Sequence, residues 1–273
     1  MERTFRLTLE YDGTEFRGWQ SQPGDVRTLQ DTLEAAVAKV TGQSVRVTGA
    51  GRTDSGVHAE GQVASLRVDT ALDPPVLARA LNAALPPDFA VREVALAPDG
   101  FDARHHATGK LYRYDLWNGP VRSPLLRQRS LAWFRPMDAT ALRRAAQDLV
   151  GSHDFASFQA AGSDVSTTMR TLRRLEIGGE VGGVLSLWFE GSGFLRHMVR
   201  NLVGTLLEVA GGKRNPEGMP ALLAACDRSQ AGPTAPAHGL TLVRVSYGPR
   251  SLPKLPPEPA DAGDSPGKPG ASG

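Results

Sequence analysis

The chain of 273 residues contains a single cysteine, Cys226. One thiol excludes a disulfide framework and any zinc site that needs several thiolates. Because Cys226 ends an apolar run with helical character, we expect it to be buried in the core. The six histidines are not grouped at the spacing of metal ligands, and we expect neither a metal ion nor a cofactor.

Long hydrophobic runs are absent as well. No stretch approaches the roughly 20 apolar residues of a membrane-spanning helix, and the first residues lack the apolar core of a signal peptide. We therefore expect no membrane association and a cytoplasmic location. The phosphate loop, the Gly-x-Ser-x-Gly elbow and the His-Glu-x-x-His zinc motif are also missing, so none of these common catalytic centres is indicated.

Lysine is scarce, since only 5 of the 31 basic residues are lysines and the other 26 are arginines. Arginine presents a planar fork of donors that suits phosphate, although genome composition or heat adaptation explains the ratio equally well. One segment is basic and aromatic together, which is typical of phosphate contacts and base stacking. A solvated strand face is the alternative for this segment. Its basic residues are Arg104, Lys110, Arg113, Arg122, Arg127 and Arg129, with Asp115 as the single acid among them.

Hydrophobic periodicity divides the chain into two halves with a similar order of elements. Alternating side chains predict strands over Thr4–Tyr11 and Lys110–Trp117, and Thr28 ahead of a helical pattern predicts a capped helix from residue 29. A hairpin is predicted over residues 171–189. These elements predict an α+β fold of two similar lobes, each a mostly antiparallel sheet of its own with helices packed on one face.

The domain boundaries follow from the same pattern. We assign residues 1–107 to the N-terminal lobe and residues 108–248 to the C-terminal lobe, with a basic cleft formed by the two. Residues 249–273 hold seven prolines, four glycines and only two large aliphatic side chains. Such a composition cannot bury enough apolar surface to offset the entropy of ordering, and it predicts a disordered tail.

A short polar segment between two predicted strands carries the first candidate site. It contains Arg52, Asp54 and His58 among glycines. An arginine beside a carboxylate favours its ionised form, and a positioned carboxylate can act as nucleophile, general base or metal ligand. The alternative is a structural Asp-Ser-Gly turn braced by the ion pair between Arg52 and Asp54. We expect His58 to brace this turn.

Aromatic residues mark two further candidates. On a strand starting near Lys110, the side chains of Lys110, Tyr112 and Tyr114 share one face, which suits a stacked nucleobase. A sheet face with tyrosine hydroxyls at its edge is the alternative. The segment from Tyr11 to Gln20 mixes aromatic residues with glycine, arginine and glutamine. It predicts either a flap over a nucleic-acid backbone or a surface hairpin loop.

A predicted long helix over residues 194–209 carries the last candidate. Arg200 and Asn201 lie in its first turns, where the positive end of the helix dipole favours an anion. A surface helix with ordinary arginines is the alternative. The adjacent Arg196 and His197 are assigned no role.

These segments together resemble, in the same order, the motifs of TruA-type tRNA pseudouridine synthases. The resemblance covers roughly residues 5–247, and the tail lies outside it. It is carried by Tyr11-x-Gly-x-x-Phe-x-Gly-Trp-Gln20, Arg52-Thr-Asp54-x-Gly-Val-His58-Ala, Phe101-x-Ala-Arg104, Lys110-x-Tyr112-x-Tyr114, His153-Asp-Phe155-x-x-Phe158 and Phe194-Leu-x-His-Met-Val-Arg200-Asn201.

The resemblance implies an isomerase that converts uridines of the tRNA anticodon arm, at positions 38, 39 and 40, to pseudouridine without a cofactor. It implies a homodimer as the working form and a pseudouridine synthase fold. Asp54 matches the family's essential aspartate, Tyr112 the tyrosine that stacks on the target base, and Arg52 and Arg200 arginines that line the pocket. Two other classes compete with this interpretation: a non-catalytic RNA-binding protein or RNA chaperone on the same scaffold, and a metal-dependent RNA phosphoesterase.

Overall fold

The structure is a computed structural model that describes residues 2–162 and 165–248. The predicted disordered tail, residues 249–273, lies outside the described residues. The helices are α1 (Leu29–Thr41), α2 (Pro74–Ala84), α3 (Ala139–Gln147), α4 (Met198–Ala210) and α5 (Met219–Ala225). The strands are β1 (Glu2–Tyr11), β2 (Thr48–Gly49), β3 (His58–Asp69), β4 (Phe89–Leu96), β5 (Ala107–Trp117), β6 (Leu131–Ala132), β7 (Gly151–Asp154), β8 (Met169–Gly179), β9 (Val184–Gly191) and β10 (Leu240–Tyr247).

All of these strands belong to one sheet with the order β4-β1-β3-β10-β5-β9-β8-β7, while β2 pairs with β3 and β6 pairs with β5. Most neighbours are antiparallel, which confirms the predicted α+β class. The prediction of two separate sheets is wrong, because β10 from the end of the chain lies between the two halves. It pairs in parallel with β3, where Thr241 faces His58, and antiparallel with β5, where Leu242 faces Tyr112.

Local sequence signals account for most element boundaries. Helix α1 begins after Thr28, whose side chain accepts a hydrogen bond from the Asp31 amide, and it ends at Gly42 in the left-handed region. Its buried face includes Leu29 and Leu33, both fully buried. Burying side chains of this size contributes about 1.5–3 kcal/mol each, so the apolar stripe fixes α1 against the sheet.

Two local predictions fail, and one strand is not predicted at all. Helix α4 begins four residues later than predicted, at Met198, because His197 adopts the left-handed conformation with φ 59°. Cys226 is exposed rather than buried, since α5 ends at Ala225 and Cys226 follows it with φ 48°. The short strand β7 carries no alternation long enough to predict it. Among the described residues, no helix combines the length and apolar character needed to cross a membrane.

Candidate active site

Asp54 lies on the loop of residues 50–57 that joins β2 to β3. Backbone and side-chain bonds hold this loop on both sides of the aspartate. The Trp19 amide donates to the Thr53 carbonyl at 3.0 Å, the Gln62 side-chain amide donates to the Gly51 carbonyl at 2.9 Å, and the Tyr11 hydroxyl lies 2.9 Å from Thr53 Oγ1. The loop is therefore a fixed platform for the carboxylate.

The segment from Tyr11 to Gln20 packs against this loop. The side chains of Phe16 and Trp19 are almost fully buried, and the Ser55 hydroxyl donates to the Phe16 carbonyl at 3.1 Å. Gly18 adopts φ +89°, and a Cβ there would lie 2.9 Å from the Thr53 carbonyl oxygen. Only glycine accepts this approach without strain. The prediction of a surface hairpin is wrong, because Phe16 and Trp19 pack in the core against the Asp54 loop. The flap stays a prediction, since Arg17 and Gln20 of the same segment line the cleft that contains Asp54.

The Asp54 carboxylate is held through one of its two oxygens. Arg200 Nη1 donates to Asp54 Oδ2 at 2.8 Å, and His197 Nε2 lies 3.5 Å from the same oxygen. Arg200 is itself fixed, since its Nε donates to the Ala235 carbonyl at 2.7 Å. Asp54 Oδ1 has no hydrogen-bond partner within the described part of the chain. One oxygen is thus anchored, and the other is available to a ligand.

The two arginines of the predicted site therefore lie in different places. Arg200 contacts Asp54. The sequence suggests this contact only because both residues belong to motifs of the same family. The expected ion pair between Arg52 and Asp54 is absent, because the Arg52 side chain is exposed and reaches no acid among the described residues. Arg52 instead contributes to the wall of the cleft that contains Asp54.

His197 is a site residue that the sequence interpretation missed. The predicted helix from residue 194 placed His197 within regular helical turns, whereas the left-handed backbone directly before α4 brings its ring to Asp54. Partial burial lowers the pKa of His197; Asp54 opposes this effect and Arg200 adds to it. The imidazole is therefore neutral near pH 7. A non-glycine residue with positive φ cannot be recognised from composition, so the sequence carries no signal for this placement.

The cleft around Asp54 has a volume of about 1310 Å³. Its wall contains seven arginine and lysine side chains and, among the described residues, one carboxylate, that of Asp54. Such an excess of positive charge attracts a polyanion over long range. The basic residues of the wall are Arg17, Arg46, Arg52, Arg104, Lys110, Arg196 and Arg200.

Tyr112 borders the same cleft, whereas Tyr114 does not. The Tyr112 ring is 8% exposed and contacts Phe194 edge to face, with ring centroids 5.1 Å apart. Its hydroxyl has no hydrogen-bond partner in the described chain, and burial raises the pKa of Tyr112, so the phenol stays neutral. Tyr114 is fully buried, and its hydroxyl donates to the Pro236 carbonyl at 2.9 Å. The predicted stacking face is therefore wrong for Tyr114.

The basic segment from Arg104 to Arg129 serves two purposes. Arg104 and Lys110 line the cleft. Arg113 instead pairs with Glu60 and Asp115, each at 2.8 Å, which joins β3 to β5. The alternative of a solvated, ion-paired strand face is thus correct for Arg113, and the phosphate interpretation applies to at most part of the segment.

Two other polar residues, His58 and Asn201, are buried and bonded to other parts of the protein. The ring of His58 is buried, with Nε2 2.7 Å from the Gln128 carbonyl oxygen and Nδ1 3.1 Å from the Gly13 amide nitrogen. These contacts join the start of β3 to two distant segments, and the bracing of the Asp54 turn by His58 stays a prediction. Asn201 is fully buried and donates to the Phe158 carbonyl at 2.8 Å. The expectation that Asn201 faces an anion is wrong. No group of three or more metal-ligating side chains occurs within residues 2–162 and 165–248.

Fold and site together define an α+β protein whose described residues form a basic cleft around a single anchored acid. The sequence model of the family described as tRNA pseudouridine synthase matches residues 8–105 and 145–248, and the chain belongs to this family. Both segments contribute to the cleft, since Asp54 lies in the first and Arg200 in the second.

Individual relatives give the same result over nearly the whole described chain. The protein named tRNA pseudouridine synthase A of Myxococcus xanthus is 44% identical over 242 residues, covering 89% of this chain and 91% of the relative. The protein of that name from Geobacter sulfurreducens is 44% identical over 245 residues, covering 90% of this chain and all of the relative. That of Solidesulfovibrio magneticus is 46% identical and covers 98% of both chains.

Proposed function

We propose that this chain is an isomerase that converts uridine in tRNA to pseudouridine, with Asp54 as its catalytic group. Membership of the tRNA pseudouridine synthase family supports the reaction. The observation that carries the assignment of Asp54 is its environment: among the described residues it is the one carboxylate beside seven basic side chains of the cleft wall, and its Oδ1 has no hydrogen-bond partner there. A non-catalytic RNA-binding protein has no need for a carboxylate at that point, because a negative charge opposes phosphate binding.

The chemistry is a rearrangement within one nucleoside. The N1–C1′ bond breaks, the base turns, and C5 joins C1′; C5 then loses its proton, and N1 gains one. Nothing is oxidised or hydrolysed, so a carboxylate suffices as the reacting group. Asp54 can act by attacking C1′, by attacking C6, or by taking the C2′ proton. In each case Oδ1 is the oxygen that meets the substrate, since Oδ2 is held by Arg200.

Arg200 has a positioning role in this proposal. A charge-assisted hydrogen bond at 2.8 Å fixes the rotamer of Asp54. The planar guanidinium also binds the Ala235 carbonyl, so Arg200 connects the Asp54 loop to the segment before β10. Arg52, exposed on the cleft wall, is placed to contact the RNA.

Tyr112 supplies the surface for the target base. A base must leave its stack before it can enter the cleft, at a cost of a few kcal/mol. Stacking of the base on an aromatic ring stabilises the complex by about 1–3 kcal/mol, which offsets part of this cost. Tyr112 is the tyrosine of β5 that borders the cleft, and its edge contact with Phe194 fixes the ring plane.

We infer further that the substrate region is the anticodon arm, at positions 38, 39 and 40, and that the enzyme works in the cytoplasm, where tRNA is found. Residues 1–107 and 108–248 act as two lobes that meet at the cleft. The first lobe contributes Asp54 and Arg52, and the second contributes Tyr112 and Arg200. A substrate bound between them contacts both.

A homodimer is the proposed working form. Large apolar side chains are exposed in the segment between β5 and β6: Val121 is 68% exposed and Leu125 is 93% exposed. Val184, opposite Trp117 in the β5–β9 pair, is also exposed. Exposed apolar surface of this kind is typical of a protein interface. The molar mass of the purified protein in solution, measured by light scattering, tests this: a monomer at micromolar concentration would contradict it.

The reaction is tested by incubating the protein with an unmodified tRNA transcript and mapping pseudouridine at single-nucleotide resolution. The proposal expects new pseudouridine confined to positions 38–40. Binding of tRNA without any pseudouridine would instead favour the RNA-binding protein or chaperone. Cleaved RNA that disappears on addition of a chelator would favour the metal-dependent phosphoesterase.

A further inference from the structure

Lys110 is a lysine of the cleft wall whose charge is not neutralised by any of the described residues. Its side chain lies against the start of the Asp54 loop, since a Cβ on Gly51 would lie 3.2 Å from Lys110 Nζ. The ammonium has no hydrogen bond and no ion pair with any residue of the described ranges. An ammonium removed from water without a partner is unfavourable, so this position is retained at a cost to the free protein.

Among the described residues, the charged groups that act most on Lys110 are positive. Burial, with Arg104 and Arg170 adding to it, lowers the pKa of Lys110 to about 8. Arg104 precedes β5, and Arg170 lies at the start of β8. Asp115, the nearest acid along the chain, is paired with Arg113, and Asp102 accepts hydrogen bonds from the backbone amides of Arg104 and His105. Within the described residues, no carboxylate lies within ion-pair distance of Lys110.

Other cations nearby are already occupied. Arg170 donates to the Thr167 and Met169 carbonyls, and Arg173 on β8 donates to the Thr108 carbonyl at 2.7 Å. Arg104 has no side-chain partner among the described residues. Among the described residues, Lys110 and Arg104 are therefore two cations of the cleft wall whose side chains make no hydrogen bond or ion pair. Arg170 adds to the positive potential at Lys110.

We propose that Lys110, together with Arg104, binds a single phosphodiester group of the RNA chain beside the flipped nucleotide. Lys110 and Tyr112 are two residues apart on β5, so both side chains point to the same face of the strand. A nucleotide whose base lies on Tyr112 therefore carries its backbone toward Lys110. A phosphate supplies the negative charge that no described residue provides to Lys110. The three N–H donors of the ammonium can bind the phosphate oxygens. This inference rests on the proposed function.

The experiment measures binding and not turnover. A fluorescent anticodon arm is titrated with wild type, Lys110→Gln and Lys110→Arg at several KCl concentrations. Lys39→Gln is the matched control, because Lys39 is exposed near the end of α1 and lies outside the cleft wall. Thermal unfolding of each variant checks the fold.

We expect Lys110→Gln to weaken binding about tenfold or more, as for loss of a hydrogen bond to a charged group. Its plot of log K against log salt should be shallower by about 0.7–0.9, which corresponds to one phosphate. Lys110→Arg should restore the slope, and Lys39→Gln should leave it unchanged. Equal slopes for wild type and Lys110→Gln would overturn the proposal.

A pH series gives an independent readout. The ammonium form binds phosphate, so the affinity of the wild type should be full well below the pKa of Lys110, which is about 8, and should fall as the pH rises through it. Lys110→Arg should not show this fall, because arginine stays charged. The same fall in both variants would contradict the assignment.

Two further measurements distinguish failure of the RNA-phosphate assignment from failure of the proposed function. Inorganic phosphate at constant ionic strength should not compete; selective competition in wild type but not in Lys110→Gln would assign the site to free phosphate and overturn the RNA assignment. If the protein binds the arm with the predicted slopes yet makes no pseudouridine, the proposed function fails while the phosphate site stands.

Discussion

The two halves of the cleft wall are organised in opposite ways. Around Asp54, the neighbouring groups are bound to one another: the loop is held by Trp19, Gln62 and Tyr11, and the carboxylate by Arg200. Along the rest of the wall, the side chains of Arg52, Arg104 and Lys110, and also of Arg17, make no hydrogen bond or ion pair within residues 2–162 and 165–248. The acid is fixed before any ligand arrives, whereas these cations are not.

This difference matches two different physical demands. A reacting group must be held within a fraction of an ångström of its working position, because misplacement costs rate. Phosphate contacts need charge more than geometry, and they act through counterion release. If these cations were paired with acids of the protein, the contribution of counterion release to RNA affinity would be lost. Disturbing the fixed region should therefore change the rate of reaction, and disturbing the free cations should change affinity.

The largest effect is expected when the anchor of the acid is removed. Arg200→Met should lower the single-turnover rate on tRNA by about 10²–10³, the range found when a preorganised charged donor is lost. Arg200→Lys should restore part of the rate, since it keeps the charge but loses the fork that also binds the Ala235 carbonyl.

Arg196→Met is the control for Arg200. Arg196 lines the same cleft, but its guanidinium donates to the Ala161 and Gly162 carbonyls and not to Asp54. We expect a rate close to that of wild type. Equal rates for Arg200→Met and wild type would show that Asp54 needs no anchor.

A smaller effect is expected at the base-binding surface. Tyr112→Phe should retain binding, because the Tyr112 hydroxyl has no partner among the described residues and the ring remains. Tyr112→Leu should weaken binding of the anticodon arm by about 1–3 kcal/mol, the contribution of stacking one base. Leucine fills much of the volume, which limits the cavity that alanine would leave. Equal affinities for the phenylalanine and leucine variants would remove the stacking role.

The smallest effect is expected for the support beneath the Asp54 loop. Gly18→Ala and Gly24→Ala change two glycines with the same φ of +89°, but a Cβ on Gly18 meets the Thr53 carbonyl whereas one on Gly24 meets only the end of Val26. Gly24→Ala should lose about 1–2 kcal/mol of unfolding free energy, the cost of a left-handed alanine, as measured by urea denaturation, and Gly18→Ala should lose more because its Cβ also crowds the Thr53 carbonyl. Only Gly18→Ala should also slow the reaction. A similar loss of rate in both variants would mean that the close packing under Asp54 is unimportant.

Much of this organisation is predictable from sequence, for identifiable reasons. The caps of α1, the alternation in β1 and β5 and the α+β class follow from local periodicity. Motif resemblance points to Asp54 and Arg200, which are 146 positions apart and in contact. The anchoring of Asp54 by Arg200 rather than by Arg52, and the single continuous sheet, depend on how distant segments pack, which periodicity does not specify.

Residues with unusual local environments are the hardest to predict. His197 reaches Asp54 only because its backbone is left-handed, and neither its residue type nor its spacing signals this. Tyr112 and Tyr114 are indistinguishable in a strand pattern, yet one borders the cleft and the other is covered by Gly239 and bonded to the Pro236 carbonyl. The free state of Lys110 likewise depends on which acids the fold places elsewhere.

The comparison between a fixed acid and free cations is tested most directly by Asp54→Asn. Pseudouridine formation and the dissociation constant for the anticodon arm are measured on the same preparation. We expect no pseudouridine, because the neutral amide can neither attack carbon nor take a proton. We also expect binding at least as tight as that of wild type, since the substitution removes a negative charge from a basic cleft. Pseudouridine formed by Asp54→Asn at the wild-type rate would contradict the assignment of Asp54 as the reacting group.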